Sequence, residues 1–210
     1  MTMTNDEDES EERLKIMTLG NTRVGKTSFI IKYTEDYFQE IYLSTIGIDF
    51  RVKDITVDEK VYKLLFYDTT GQEKYKSLAL NVVKNTHGII LMYDITDKSS
   101  FESIPEWIQS VKDIKGNDFP MILLGNKIDR EEERIISNED GEELAKEYNI
   151  DFLETSNKNG TNVNEAGLII VKKILESNQR EELNNITANS AKLSENNMVD
   201  NQKDNSKKCC

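Results

Sequence analysis

The sequence contains 210 residues with a formal net charge of −12 at pH 7, and this length predicts one domain with flanking tails. The acidic balance argues against a nucleic-acid-binding protein, which normally carries a basic face. No apolar stretch reaches the length of a membrane span, and the first residues lack the pattern of a signal peptide. The two cysteines, Cys209 and Cys210, leave the core without a disulfide, so a reducing compartment is expected.

The first predicted element of the domain leads into a phosphate-binding motif. Residues 1–12 are rich in acidic side chains and are predicted to be a disordered N-terminus. Residues 13–19 alternate as a strand does, and residues 20–27, GNTRVGKT, fit the pattern G-x-x-x-x-G-K-[ST]. Residues 27–33 then begin a predicted helix. Because this motif requires a strand before it and a helix after it, the segment predicts a loop that binds a nucleoside triphosphate rather than an ordinary turn.

The next two predicted strands, 48–57 and 61–67, are joined by a short polar connection, which is typical of an antiparallel hairpin. Asp68 directly follows the second of them. Alone it could be a turn residue, but a carboxylate at a strand end opposite a phosphate loop suits a magnesium site, for which Thr27 offers a hydroxyl ligand.

The remaining predicted strands are 88–94, 120–125 and 151–155, and helices are predicted near 99–115, 138–148 and 162–177. Strands that alternate with helices indicate parallel crossover connections. The predicted fold class is therefore α/β, a doubly wound, six-stranded, mostly parallel sheet with one antiparallel strand. This domain spans 13–177, and the polar, Asn-rich residues 178–210 are predicted to be a disordered tail.

A carboxylate after the fifth predicted strand indicates which base is bound. Asp129 lies in the run Asn126-Lys127-Ile128-Asp129, after an apolar segment, and α/β sheets bind ligands beyond the carboxyl ends of their strands. Guanine presents N1–H and an amino group side by side, and one carboxylate can accept both. Adenine presents an acceptor at N1. An ordinary loop is the alternative, but beside a phosphate loop Asp129 predicts a guanine nucleotide.

Taken together, these motifs resemble the Ras superfamily of small GTPases and, within it, the Rab family. The resemblance covers about residues 13–177 and the final two cysteines. The sequence is Rab-like in residues 46–50, 71–75, 91–96 and 100–104, the last of which lies shortly before Trp107. Residues 44–53 and 147–165 look most like the branch that serves secretory and plasma-membrane traffic.

The resemblance implies a role for each matching residue. Phosphate binding would fall to Gly20, Thr22, Arg23, Val24, Gly25, Lys26, Thr27, Thr45 and Gly71. Magnesium would be held by Thr27 and Thr45 directly and by Asp68 through water. Gln72 would orient the attacking water. The base would be enclosed by Phe38, Asn126, Lys127, Asp129, Ser156, Asn157 and Lys158, although Phe38 could equally be a buried aromatic residue at a helix end.

The chain departs from the usual Rab text at several positions. Thr70 stands where alanine is usual, and Arg23 where a small residue is usual. Tyr67 replaces a tryptophan, and the pair 82–83 is Val-Val instead of Tyr-Tyr. The last two positions and Phe50 correspond to an aromatic cluster that partners contact in Rab proteins. The residues at 67 and at 82–83 therefore change that cluster. Asn157 replaces the usual alanine, but the role implied for it is that of its backbone amide.

Cys209 and Cys210 follow Lys207 and Lys208. A metal-binding pair or a vicinal disulfide is the alternative, but adjacent cysteines lack further ligands and their disulfides are strained. The Rab resemblance implies two geranylgeranyl groups, since two lipids anchor stably where one does not. It also implies a monomer on the cytoplasmic face of intracellular or plasma membranes, with a cytosolic pool. The implied partners are exchange factors, GTPase-activating proteins, effectors, the Rab escort protein and GDP-dissociation inhibitor.

Three functions compete on these residues. The first is a switch in which GTP orders the segments around Thr45 and Gly71, and hydrolysis to GDP and phosphate releases them. The second is a P-loop kinase or ATPase, which Asp129 and the lack of an evident acceptor domain disfavour. The third is a nucleotide-locked binding module that hardly hydrolyses GTP, which Thr70 and Arg23 keep open.

Overall fold

The computed structural model describes residues 12–38, 48–69, 76–180 and 182–184. The chain divides into two compact units, Met1–Ile174 and Leu175–Cys210. The sheet and its flanking helices belong to the first unit. Of the second unit, the structure describes residues 175–180 and 182–184, all of them helical.

A six-stranded sheet forms the centre of the first unit, in the order β2-β3-β1-β4-β5-β6. The strands are β1 Glu12–Leu19, β2 Ile48–Val57, β3 Lys60–Thr69, β4 Gly88–Asp94, β5 Met121–Asn126 and β6 Asp151–Thr155. Among the described strands, the pairing of β2 with β3 is antiparallel, while β1–β3, β1–β4, β4–β5 and β5–β6 are parallel. The predicted fold class, including its antiparallel strand, is confirmed.

The described helices of the first unit connect these strands. They are α1 Lys26–Glu35, α2 Lys76–Val83, α3 Lys98–Glu102, α4 Ile104–Lys115 and α5 Asn138–Tyr148, with a 3₁₀ helix at Ile128–Glu133. Residues 163–174 are also helical. None of the described helices combines the length and the hydropathy that a bilayer-spanning segment requires.

The helix predicted at 99–115 is two helices, and here the prediction was wrong. Asp97 caps α3 by accepting the N–H of Ser99, and the second helix begins with a proline in its first turn, after Ser103. Proline has no N–H to donate to the preceding turn but is well tolerated in the first turn of a new helix. The apolar periodicity runs through both helices, so it did not reveal the break.

The central strand β4 has the almost wholly apolar sequence GIILMYD, which is typical of a strand that is covered on both faces. Every residue of β4 is buried. On one face Tyr93 packs into a cluster with Trp107 and Ile108 of α4. The alternate residues Ile90 and Met92 point to the opposite face and are also fully buried. This burial fixes the strand ends, and therefore the loops that follow them.

His87 joins the opposite, amino-terminal ends of two strands. Its backbone N–H donates to the carbonyl of Lys15 (2.7 Å), and its Nδ1 accepts the N–H of Lys15 (3.1 Å). Burial lowers the pKa of His87, and the positive charges of Lys15 and Lys115 lower it further. The neutral ring is therefore the form that the fold requires.

We expect this histidine to make the protein less stable in mild acid. Because its pKa is lower in the folded than in the unfolded chain, its contribution to stability is present above about pH 6.5 and declines as the pH falls. Chemical unfolding between pH 8 and pH 5 should show this decline. His87→Asn keeps an acceptor at the same place without titrating and should flatten the curve below about pH 6.5. Curves of equal slope would contradict the assignment, and His87 is the one histidine in the sequence.

Candidate nucleotide-binding site

The described site residues at or after the carboxyl ends of β1, β3, β5 and β6 lie at one edge of the sheet. Strands β1, β3, β4, β5 and β6 run parallel, so their carboxyl ends lie at the same edge, where doubly wound sheets bind ligands. Thr45, Gly71, Gln72, Cys209 and Cys210, and with them Thr70, lie outside the described residues. The roles predicted for those residues stay predictions.

The phosphate loop closes around a lysine. The side chain of Lys26 is buried, and its Nζ donates to the carbonyls of Gly20 (2.9 Å) and Asn21 (2.8 Å). Gly20 has φ +139°, and a Cβ there would lie 2.2 Å from the carbonyl oxygen of Met92, so only glycine fits. Arg23 adopts φ +65°, a left-handed conformation that is uncommon without glycine. Such curled backbone before a helix N-terminus is a typical anion-binding arrangement.

A side-chain anchor that the sequence did not reveal holds this loop from outside. Asn21 Oδ1 accepts hydrogen bonds from Ser103 Oγ (2.9 Å) and Trp107 Nε1 (3.3 Å). Both donors lie at the break between α3 and α4 or just beyond it. Asn21 occupies a variable position of the phosphate-loop motif, so the motif gave no signal for this contact.

Thr27 and Asp68 supply the oxygen donors that magnesium prefers. Thr27 lies in the first turn of α1, directly after β1 and its loop, and Asp68 is buried near the end of the neighbouring strand β3. The described residues contain no cluster of three His, Cys, Asp or Glu side chains that could hold a metal. A sparse hydroxyl and carboxylate set fits Mg²⁺, which usually keeps waters and phosphate oxygens as its other ligands.

Asn126 links the base side of the site to the phosphate loop. It is buried at the end of β5, and its Nδ2 donates to the carbonyl of Val24 (2.8 Å). Its Oδ1 accepts the hydroxyl of Thr155 (3.2 Å), the residue opposite it on β6. A donor and an acceptor thus fix the amide in one orientation.

Lys127 is held by a partner that sequence reasoning missed. Its Nζ lies 2.6 Å from Asp94 Oδ2, and Asp94 Oδ1 accepts two hydrogen bonds from Thr96. Lys127 itself adopts φ +74°. Asp94 ends the buried strand β4. Its position at a strand end was compatible with a place in the site, but the sequence did not indicate that it pairs with Lys127.

Asp129 contacts another predicted base residue. Ser156 Oγ donates to Asp129 Oδ1 at 2.6 Å, which joins the loop after β5 to the loop after β6. A carboxylate has about four lone-pair sites, so this bond leaves acceptor capacity for the two donors of guanine. Of the other predicted base residues, Lys158 is exposed and Phe38 is half-buried beyond α1, and their roles stay predictions.

A partly buried ion pair connects the segment that follows Asp129 to the strand that precedes Ser156. Arg134, after the 3₁₀ helix that contains Asp129, makes two contacts with Glu154 of β6, at 2.5 and 2.9 Å. Hydrogen bonds to Glu154, and then to Glu131, raise the pKa of Arg134. Two-point arginine–carboxylate contacts are strong and directional, so this pair helps to keep Asp129 and Ser156 in register.

The sequence is similar to a known protein family and to several of its members. A family model described as "Ras family" matches residues 15–176. The chain is 40% identical over 195 residues to Ras-related protein Rab-13 of Rattus norvegicus, which covers 93% of this chain and 94% of that protein. It is 45% identical over 161 residues to Ras-related protein Rab-37 of Homo sapiens (76% and 72%). It is 40% identical over 161 residues to Ras-related protein Rab-8B of Homo sapiens (77% and 78%).

We expect Asp129→Asn to change base selectivity. The new amide can place a donor against guanine, so affinity for GTP should fall roughly a hundredfold or more. Xanthine offers an acceptor where guanine has its amino group, so the variant should bind XTP more tightly than the parent does. Fluorescence competition would measure both affinities. Glu132→Gln, which removes one negative charge from the same short helix, should leave both unchanged. Parental affinities in Asp129→Asn would show that Asp129 does not select the base.

Proposed function

The chain belongs to the Ras family as a small GTPase of the Rab type, and we propose that it cycles between GDP- and GTP-bound states to regulate vesicle traffic at membranes. In the GTP state it would bind effectors, and hydrolysis would end that contact. We extend this proposal to secretory and plasma-membrane traffic because the sequences of residues 44–53 and 147–165 resemble that branch of the family.

The observation that carries the proposal is that a hydrogen bond joins the phosphate loop to the loop that carries the predicted guanine motif. The bond from Asn126 to the carbonyl of Val24 joins them, and the bond from Ser156 to Asp129 completes the base side. A kinase or ATPase would need neither a carboxylate at this place nor its orientation by Ser156. This arrangement supports the proposal that one guanine nucleotide is bound at both its phosphates and its base.

Hydrolysis in this proposal is mainly a matter of positioning charge and water. The backbone amides of 22–26 and the ammonium of Lys26 hold the phosphates and offset their negative charge. In this proposal the amide of Gly71 would contact the γ-phosphate, and Gln72 would orient a water for in-line attack on its phosphorus. The bond to the β–γ bridging oxygen breaks, which leaves GDP and inorganic phosphate.

Thr27 and Asp68, with Thr45, are the residues that would hold Mg²⁺. When bound, the ion neutralises charge on the β- and γ-phosphate oxygens. The residues themselves position it: Thr27 is fixed by the first turn of α1, and Asp68 by its pairing with Asp49 on β2.

The partners proposed are exchange factors, GTPase-activating proteins and effectors, together with the Rab escort protein and GDP-dissociation inhibitor. Phe50 on the edge strand β2 is 62% exposed and lies opposite the partly buried Tyr67 in the ladder, which supports a role for this pair in partner contact. Val83, by contrast, is fully buried in the core. Substitution of the usual tyrosine at 83 by valine therefore acts on packing.

Single-turnover hydrolysis tests the enzymatic part of this proposal. Protein loaded with GTP should convert it to GDP, and excess ATP should not displace the bound nucleotide. Gln72→Leu should lower the hydrolysis rate while GTP affinity stays within a few-fold, because water positioning rather than ground-state binding is lost.

If the parent hydrolyses GTP unusually slowly, its rate should be compared with that of Thr70→Ala. If Thr70 disturbs water positioning, this variant should hydrolyse faster, since a misplacement of about 1 Å can cost about a hundredfold. Equal rates in the parent and Gln72→Leu, with Thr70→Ala also unchanged, would contradict the role proposed for Gln72.

The membrane part concerns Cys209 and Cys210, which we propose carry two geranylgeranyl groups. The protein would then lie on the cytoplasmic face of membranes, with a cytosolic pool. Deletion of both cysteines should give a GTP-binding protein that no longer co-sediments with membranes, and a single cysteine should anchor poorly. Intact-mass spectrometry of the membrane fraction should detect two isoprenoids, and an unmodified protein in that fraction would contradict the proposal.

A further inference from the structure

A second amide, that of Asn157, reaches the phosphate loop beside Asn126. Asn157 is 4% exposed in the loop after β6. Its Nδ2 donates to the carbonyl oxygen of Gly25 at 2.9 Å, across 132 positions of the sequence. Asn126 donates to the carbonyl of the preceding residue, Val24. Two base-side amides therefore bind two consecutive carbonyls of the phosphate loop.

Close packing makes this contact specific to Gly25. A Cβ at Gly25 would lie 2.3 Å from Asn126 Nδ2 and 2.8 Å from Asn157 Nδ2, so both amides rest against the bare backbone. The same Gly25 carbonyl accepts the N–H of Phe29 at 2.8 Å in the first turn of α1. The carbonyl that Asn157 binds is therefore part of the first helical turn, which positions Lys26 and Thr27.

The orientation of the Asn157 amide follows from its surroundings. The Gly25 carbonyl can only accept, so the Nδ2 donor faces it, while the buried Oδ1 accepts no hydrogen bond from the described residues. A rotated amide would place Oδ1 against the Gly25 carbonyl, and two acceptors would face each other. An alanine, usual here in the resembling family, has no donor to offer.

We infer that Asn157 is a positioning residue that slows nucleotide release by tying the base loop after β6 to the phosphate loop. This rests on the proposed binding of guanine nucleotide across both loops. A nucleotide that contacts both loops leaves when they separate, and the tie opposes that separation and keeps the site preorganised. Asn157 acts through the loop backbone and touches no reacting atom.

The test is the dissociation rate of a fluorescent GDP analogue chased with excess GDP. Asn157→Ala should release it about three- to tenfold faster, the effect of one lost hydrogen bond. Asn159→Ala, an exposed residue of the same loop, is the matched control and should release at the parental rate. If Asn157→Ala releases the analogue at the parental rate, the inference is wrong. If the parent itself does not bind GDP, the proposed function is wrong as well.

Asn157→Asp separates the donor from mere space filling, because it is nearly the same size. Its carboxylate cannot donate to the Gly25 carbonyl, so at pH 8 release should be at least as fast as from Asn157→Ala. Burial raises the pKa of a carboxyl group, and the protonated form regains a donor. Release from Asn157→Asp should therefore slow on acidification to pH 6 relative to Asn157→Ala. Parental release from Asn157→Asp at pH 8 would show that the side chain only fills space, which contradicts the tie.

Discussion

The hydrogen bond from Asn126 to the carbonyl of Val24 is the contact on which the rest of the site depends. Asn126 ends β5, and Val24 lies in the loop that follows β1. One bond thus sets the separation between the part of the site that holds phosphates and the part that selects the base. The other contacts act on this frame. Thr155 orients the Asn126 amide, and Asn157 adds a second bond one residue further along the phosphate loop.

The sheet makes this arrangement possible because parallel strands deliver their carboxyl ends to one edge. Burial of β4 on both faces holds the strands in register, so short loops can place polar groups accurately. Ion pairs then orient charged side chains at that edge. Asp94 holds Lys127, and Glu154 holds Arg134. Each pair joins the end of one strand to the segment that follows another, so positions in the site depend on several strands at once.

Sequence reasoning is strongest where a pattern is local. The phosphate loop, the guanine motif and the apolar run of β4 each lie within a few consecutive residues, and the predicted α/β fold with one antiparallel strand is confirmed. It failed where two signals overlapped: apolar periodicity runs through α3 and α4, and the proline at the start of α4 decides the break. It was silent on side chains that meet across the fold. Asn21 with Trp107, Asp94 with Lys127, and Asn157 with Gly25 are separated by 86, 33 and 132 positions, and no local spacing encodes such contacts.

The central claim is that this site is built for one base, and the nucleotide that the protein carries tests it most directly. Full-length protein purified without added nucleotide should be denatured, and the released nucleotides should be separated by ion-exchange chromatography and counted against protein. The account predicts GDP or GTP at close to one per chain, with little adenine nucleotide. ADP or ATP at a comparable ratio would contradict the selection of guanine by Asp129 and, with it, the function proposed for the site.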